Sequence, residues 1–316
     1  MTVGGGGLGQ VMPSSAGAGV EPGPNIGGVA AVSDRKLVRK ENWRLIRRRP
    51  GFIIGGLVVA FWVACALFGA HIAPRSAFGT QFPSGLAYPT NQSPNGTFWF
   101  GTDRSGRDVF ARVLVGARDV LAVAPLAAIL SVIAGTVLGL LMGYVRGLLD
   151  NVFSRLIEAF LSLPVLLIGL LAVTTLGNSR WIVITVVAVL FTPIVARTVR
   201  SAVITEADLD YVTSAKLRGE GTGFIMFREV LPNVTAPIIV ELTVRIGYAI
   251  FTVASLAFLG AGPPPPSADW GAQVSLSYND LNAGFWWPTI FPALAIATLV
   301  IAVNLIADAV QSVLDA

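Results

Sequence analysis

Several uninterrupted apolar stretches in this 316-residue chain reach the ~20 residues that a helix needs to cross a ~30 Å hydrocarbon core, and no other feature limits its fold as severely. Hydropathy separates six spans, near residues 52–72, 119–145, 152–175, 179–199, 232–262 and 286–310. The charged fraction agrees, at 13% against the roughly 25% usual in soluble domains. The expectation is an all-α, polytopic membrane protein.

The distribution of basic residues orients those spans. With the N-terminus inside, fifteen Lys and Arg fall on the inner side: eight between Arg35 and Arg49, then Arg146, Arg155, Arg197, Arg200, Lys216, Arg218 and Arg228. Six, Arg75, Arg104, Arg107, Arg112, Arg118 and Arg180, fall outside. That asymmetry satisfies the positive-inside rule and puts both termini in the cytoplasm.

Residues 1–33 are rich in Gly, Ala, Ser and Pro and read as a disordered cytoplasmic tail, without the apolar core of a signal peptide. Residues 34–51 carry the basic run, with Leu37, Val38, Leu45 and Ile46 at helical spacing. This predicts an amphipathic helix on an anionic membrane surface. Residues 52–316 form the membrane domain. Its single cysteine, Cys65, and single histidine, His71, lack the companions a metal site needs, so no metal ligand and no catalytic residue are expected.

The inner connection 208–233 is too polar to span yet carries Leu209, Val212, Leu217, Phe224, Ile225, Phe227 and Val230 at roughly helical spacing. Two short helices broken near Gly219–Gly223 fit, with an apolar face to bury. Outside, 103–118 predicts a helix along the interface, capped by Asp103 or Ser105, with Val109, Phe110, Val113 and Leu114 on one face. Prolines 263–266 with Trp270, Trp286 and Trp287 predict a rigid outer loop. Gly135, Gly139, Gly143 and Gly147 line one helix face, a stripe suited to close packing. Glu158, Glu241 and Arg245 lie within spans, where charges face protein or a water-filled path rather than lipid. Glu241 precedes Arg245 by one turn, the favourable order for an ion pair.

Four segments together resemble the C-type permease subunit of dipeptide and oligopeptide ATP-binding cassette importers. They are FGTDRSGRDVFARVLVGARDVL (100–121), YVTSAKLRGEGTGFIMFREVLPN (211–233), ASLAFLGAGPPPPSADWG (254–271) and NLIADAVQSVLDA (304–316). The second is similar to the family's EAA loop, with Thr213, Ser214 and Ala215 in place of the triplet, and the third has Asp269 where the family's SWG has serine. The resemblance implies a type I importer permease fold of six spans in a prokaryotic cell membrane. Its implied partners are a homologous B-type permease, two ATPase subunits or one fused double ATPase, an extracytoplasmic substrate-binding protein and membrane lipid, with no nucleic acid.

None of the three lysines follows a phosphate-binding loop, so ATP and Mg are expected on the partner ATPases and no cofactor on this chain. The resemblance makes 208–233 the ATPase-coupling segment, carried by Tyr211, Thr213, Ser214, Ala215, Arg218 and Gly219, with Gly219 ending its first helix. Glu158, Glu241 and Arg245 are the residues expected along the translocation path. Arg107, Asp108, Asp269 and Trp270 are those expected at the outer entrance or against the binding protein. Related solutes, among them haem, nickel chelates and glutathione, stay open, as does a channel. An ion-coupled secondary transporter lacks its inverted repeats here.

Overall fold

The computed structural model describes residues 45–314. The tail 1–33 and most of the basic segment 34–51 lie outside the described residues. From 45 onward the chain is helical at 45–48 before it breaks at Arg49.

Helix α1 (Pro50–Ile72) starts on a proline, whose missing N–H costs nothing in a first turn. It buries only Gly55, Trp62, Cys65 and Gly69. Leu57, Phe61, Leu67 and Phe68 point outward, the pattern of a helix with lipid on most of its circumference.

Helix α2 (Val109–Val145) has 37 residues and is therefore about 55 Å long. Its N-cap is Asp108, whose carboxylate accepts the N–H groups of Phe110 and Ala111. The helix expected over 103–118 is thus not a separate interfacial element. Val109, Val113 and Leu114 form the first turns of the span itself and are buried. Asp103 caps a turn instead, accepting from the amides of Ser105 and Arg107.

The chain then turns at Arg146 and Gly147, both with positive φ, into α3 (Leu148–Leu161) and α4 (Val165–Leu176). The expected single span over 152–175 is these two helices, bent by 87°. The cause is local: Pro164 has no N–H to donate back, and its ring disfavours helical geometry at Leu163. The pair still carries the chain across. Arg146, just after α2, meets Asp208 after α5 at 2.8 Å, while Asp119, near the start of α2, meets Arg180 at the start of α5 at 2.7 Å. Between 146 and 180 the chain therefore travels from one pole to the other, which makes the bent pair the sixth crossing beside five continuous helices.

Helix α5 (Arg180–Ala207) runs parallel to α2, capped by Ser179. Three members of the glycine stripe explain how closely they pack. A Cβ at Gly135 would stand 2.5 Å from Val195, at Gly139 2.8 Å from the Ala196 carbonyl, and at Gly143 2.8 Å from Val203. Gly147 is not part of this contact: its surroundings are open, and it serves the turn into α3.

Helix α6 (Asp210–Leu217) and a helical stretch over 222–233, α7, form a hairpin. Helix α8 (Thr235–Leu256) runs on through a π-turn at Ala257–Ala261, which ends where Gly260 takes φ +94°. A loop holding prolines 263–266 leads to α9 (Trp270–Ser277) and then α10 (Trp287–Leu314). One apolar core joins α1, α2, α5, α8 and α10, and a second lies under the hairpin.

Candidate functional site: two poles and an ion pair

The hairpin closes one pole. Val212 and Ala215 of α6, with Ile225, Met226 and Val230 of α7, pack onto Val199 and Val203 of α5 and Leu140 of α2. Tyr211 pins this arrangement. Its hydroxyl donates to Glu206 at 2.8 Å and accepts from the Asn233 amide at 3.1 Å. Burial, with the Glu206 carboxylate accepting the phenol's hydrogen bond, holds the phenol up at about 12, so it remains a donor throughout the physiological range. Lys216 sits 5.4 Å above the Tyr144 ring of α2.

Gly219 ends α6 as the sequence predicts. It takes φ +80° with open space around it, one residue beyond the cap Arg218. Arg218 donates to Glu220 at 2.8 Å and lies 3.9 Å from Glu229, bridging the two hairpin helices.

Of the six residues expected to carry the coupling segment, two are turned inward. Ala215 is 0% exposed, locked beneath its own chain, and Tyr211 is half-buried. The outward face is Asp210, Thr213, Ser214 and Leu217, at helical spacings of three and four. Leu217 is 84% exposed, and Leu209, Phe224 and Phe227 extend the apolar surface beside it. Leu217 is among the apolar residues that the sequence marks in this segment, but it stands outside the set that the resemblance assigns to coupling.

At the opposite pole, segment 73–108 and the loop 262–287 form one plate. Trp270 is 0% exposed. Its indole donates to the Val113 carbonyl at 2.8 Å, and its ring stacks edgewise on Trp62 at 4.7 Å. The backbones approach closely enough that a Cβ at Gly116 would stand 2.2 Å from the Ala268 carbonyl. Arg112, buried at the head of α2, donates to the carbonyls of Ser267 at 2.5 Å and Pro266 at 3.3 Å. Trp287 donates to the Thr102 carbonyl at 3.0 Å. Arg107 pairs with Asp103 at 2.8 Å and Arg104 with Asp280 at 2.5 Å.

These contacts correct the assignment of this pole. Asp108 and Asp269 are 1% and 4% exposed, so neither they nor Trp270 has side-chain surface to offer a docking protein. Asp108 and Asp269 cap α2 and α9, and Trp270 is a peg. Burial raises the Asp108 carboxyl above its ordinary range against the opposing pull of the Ala111 and Phe110 amides. Asp269 is pushed up to about 6, first by burial and then by Asp119, which faces it across a cavity of about 210 Å³. Arg112, counted only as an outer positive charge in the sequence, is the residue that ties the two segments of the plate together.

Within the membrane region, Arg245 donates to Glu241 at 2.6 Å, and its guanidinium lies over Phe191 of α5 and Tyr248 of its own helix. Both charges are buried. Glu158 is apart from them, exposed near the end of α3 and without a side-chain hydrogen bond or ion pair among the described residues.

An all-α bundle of six crossings, with a packed hairpin at one pole and an interlocked plate at the other, has a match among known families. Residues 135–316 match the one described as binding-protein-dependent transport system inner membrane component. This chain belongs to that family.

The inner membrane component is 36% identical over 292 residues to the di/tripeptide transport system permease protein DppC of Pseudomonas aeruginosa strain UCBPP-PA14, covering 90% of this chain and 96% of that one. Over 278 residues it is 34% identical to the glutathione transport system permease protein GsiD of Pectobacterium atrosepticum, covering 87% and 90%. Over 276 residues it is 32% identical to the dipeptide transport system permease protein DppC of Bacillus subtilis strain 168, covering 87% and 85%. The inner membrane component is thus a permease subunit of an ATP-binding cassette importer.

Proposed function

We propose that this subunit pairs with a homologous permease to move dipeptides and oligopeptides inward, delivered by an external binding protein and driven by ATP held with Mg on separate ATPase subunits. The observation that carries the substrate is the similarity at 32–36% identity, over most of both chains, to permeases named for dipeptides and di/tripeptides. Glutathione, itself a small peptide, is the second reading, favoured by the 34% match to a permease named for it.

In this reading the hairpin lies in the cytoplasm with both termini, as the basic residues favour. Its outward face of Thr213, Ser214 and Leu217, with Arg218 and Gly219 at the helix end, meets the ATPase, while Tyr211 and Ala215 hold that face against α2 and α5. The plate stands outside, and Glu158 borders the translocation path, with the Glu241–Arg245 pair supporting its wall.

The test is uptake by the assembled transporter in liposomes. Labelled dipeptides should enter only with ATP, the binding protein and both permeases present, and in preference to haem or a nickel chelate. Preferred uptake of a non-peptide solute would overturn the substrate. ATP turnover by this subunit purified alone would overturn the division of labour, since it has no phosphate-binding loop.

A further inference from the structure

A groove of about 500 Å³ runs between α1, α2, α8 and α10. Val63 and Leu67 of α1, Leu121 and Pro125 of α2, Ile250 of α8 and Ile306 of α10 wall it, and Arg118 of α2 is the only charged side chain on its lining. Arg118 is exposed and makes no hydrogen bond or ion pair among the described residues. The carboxylate next to it in sequence, Asp119, is already taken by Arg180.

The depth of that arginine follows from helix geometry. Arg118 lies nine residues, about 14 Å, along α2 from its start at Val109. One turn nearer the plate, Leu114 abuts Gly69 in the last turn of α1. Helix α1, at 23 residues about 35 Å long, just exceeds the hydrocarbon thickness. Arg118 therefore stands close to the plate-side membrane boundary, with the groove descending from it into the apolar layer.

We propose that this groove is a specific site for an anionic phospholipid, with an acyl chain between the four helices and the phosphate on Arg118. In lipid no hydrophobic force drives helices together, so a depression of this size between them is filled by hydrocarbon rather than closed. A guanidinium at such a boundary costs free energy until it is paired, and its planar fork matches phosphate oxygens in two parallel hydrogen bonds. Charge complementarity singles out this occupant: an apolar slot ending in one unpaired cation is the negative image of an acyl chain ending in an anionic headgroup.

The experiment uses the assembled transporter in bilayers doped with phosphatidylglycerol or phosphatidylcholine carrying a photoreactive group on the acyl chain, with labelled positions mapped by mass spectrometry. Phosphatidylglycerol should label groove residues of α1 and α2 about fivefold more than phosphatidylcholine does, the ratio expected for one basic side chain near a headgroup. Arg118→Gln should erase that preference, Arg118→Lys should keep most of it, and Ala122→Phe, which fills the groove, should lower labelling by both lipids. Thermal midpoints of the variants establish that each remains folded. Equal labelling by the two lipids, a preference that survives Arg118→Gln, or an unlabelled groove covered by a partner subunit would each overturn the site.

Discussion

At Asp269, burial and the facing Asp119 carboxylate favour the protonated acid, whereas the Ala272 amide that it caps favours the anion. Burial wins, and the acid titrates at about 6 in the folded protein. Because this pKa is raised, folding takes up a proton. The stability gained by burying the neutral acid is complete below the usual carboxylate range near 4, and is lost as pH climbs from there through 6. The loss is on the order of 3 kcal/mol. Asp269→Asn keeps a capping side chain but cannot ionise. The thermal midpoint of that variant minus that of the wild type should therefore rise by several degrees between pH 4.5 and 7, while Asp269→Ala, losing the cap, costs about 1 kcal/mol. A flat difference would show that the carboxyl is not held neutral.

The Glu241–Arg245 pair makes a comparable argument for two charges at once. Arg245→Gln alone strands a buried carboxylate and should cost about 3–5 kcal/mol, seen as loss of assembled protein from membranes. Glu241→Gln combined with Arg245→Met should recover most of that level. If the recovered variant also transports with unchanged peptide preference, the pair holds the wall and does not contact substrate.

Among the elements, the contact between α2 and α5 depends on three side chains being absent. Gly139→Val should push the helices apart and cost about 1–3 kcal/mol, with a lowered thermal midpoint of the purified complex. Gly147→Ala, at the far end of the same stripe, meets no neighbour and should leave the helix contact intact, costing about 1–3 kcal/mol through backbone strain alone at φ +73° and ψ −138°. The stripe was legible because its four-residue period is a property of one helix. That its last member belongs to a turn was not, since Arg146 takes positive φ without being glycine or asparagine. For the hairpin, Leu217→Glu should reduce peptide uptake and stimulated ATP turnover together, with membrane insertion intact. Gly219→Val, which strains a φ of +80°, should do the same by displacing the end of α6. Normal uptake in both variants would remove the hairpin from energy coupling.

For the whole molecule, sequence was informative wherever a property is carried by contiguous residues. The five continuous spans, the break after α6 and the i,i+4 pair are of this kind. It was uninformative where a residue is defined by partners far along the chain. Arg112 looks like any outer arginine until the carbonyls of Pro266 and Ser267, more than 150 positions away, are seen to surround it. Asp269 and Trp270 look like surface residues for the same reason. The bend at Pro164 lay between the two, since the proline is visible but hydropathy runs across it.

The plate is fastened to the head of α2 through Trp270 and Arg112, and the hairpin is fastened to its far end through Leu140 and Tyr144. One helix of about 55 Å thus connects both. Mechanically it is a strut clamped at each end, and Pro125, which interrupts its hydrogen-bond ladder between the clamps, is where it can flex. In the proposed assembly, a torque applied at the hairpin is therefore carried along α2 toward the plate, to be taken up at Pro125 as well as at the seam with the second permease.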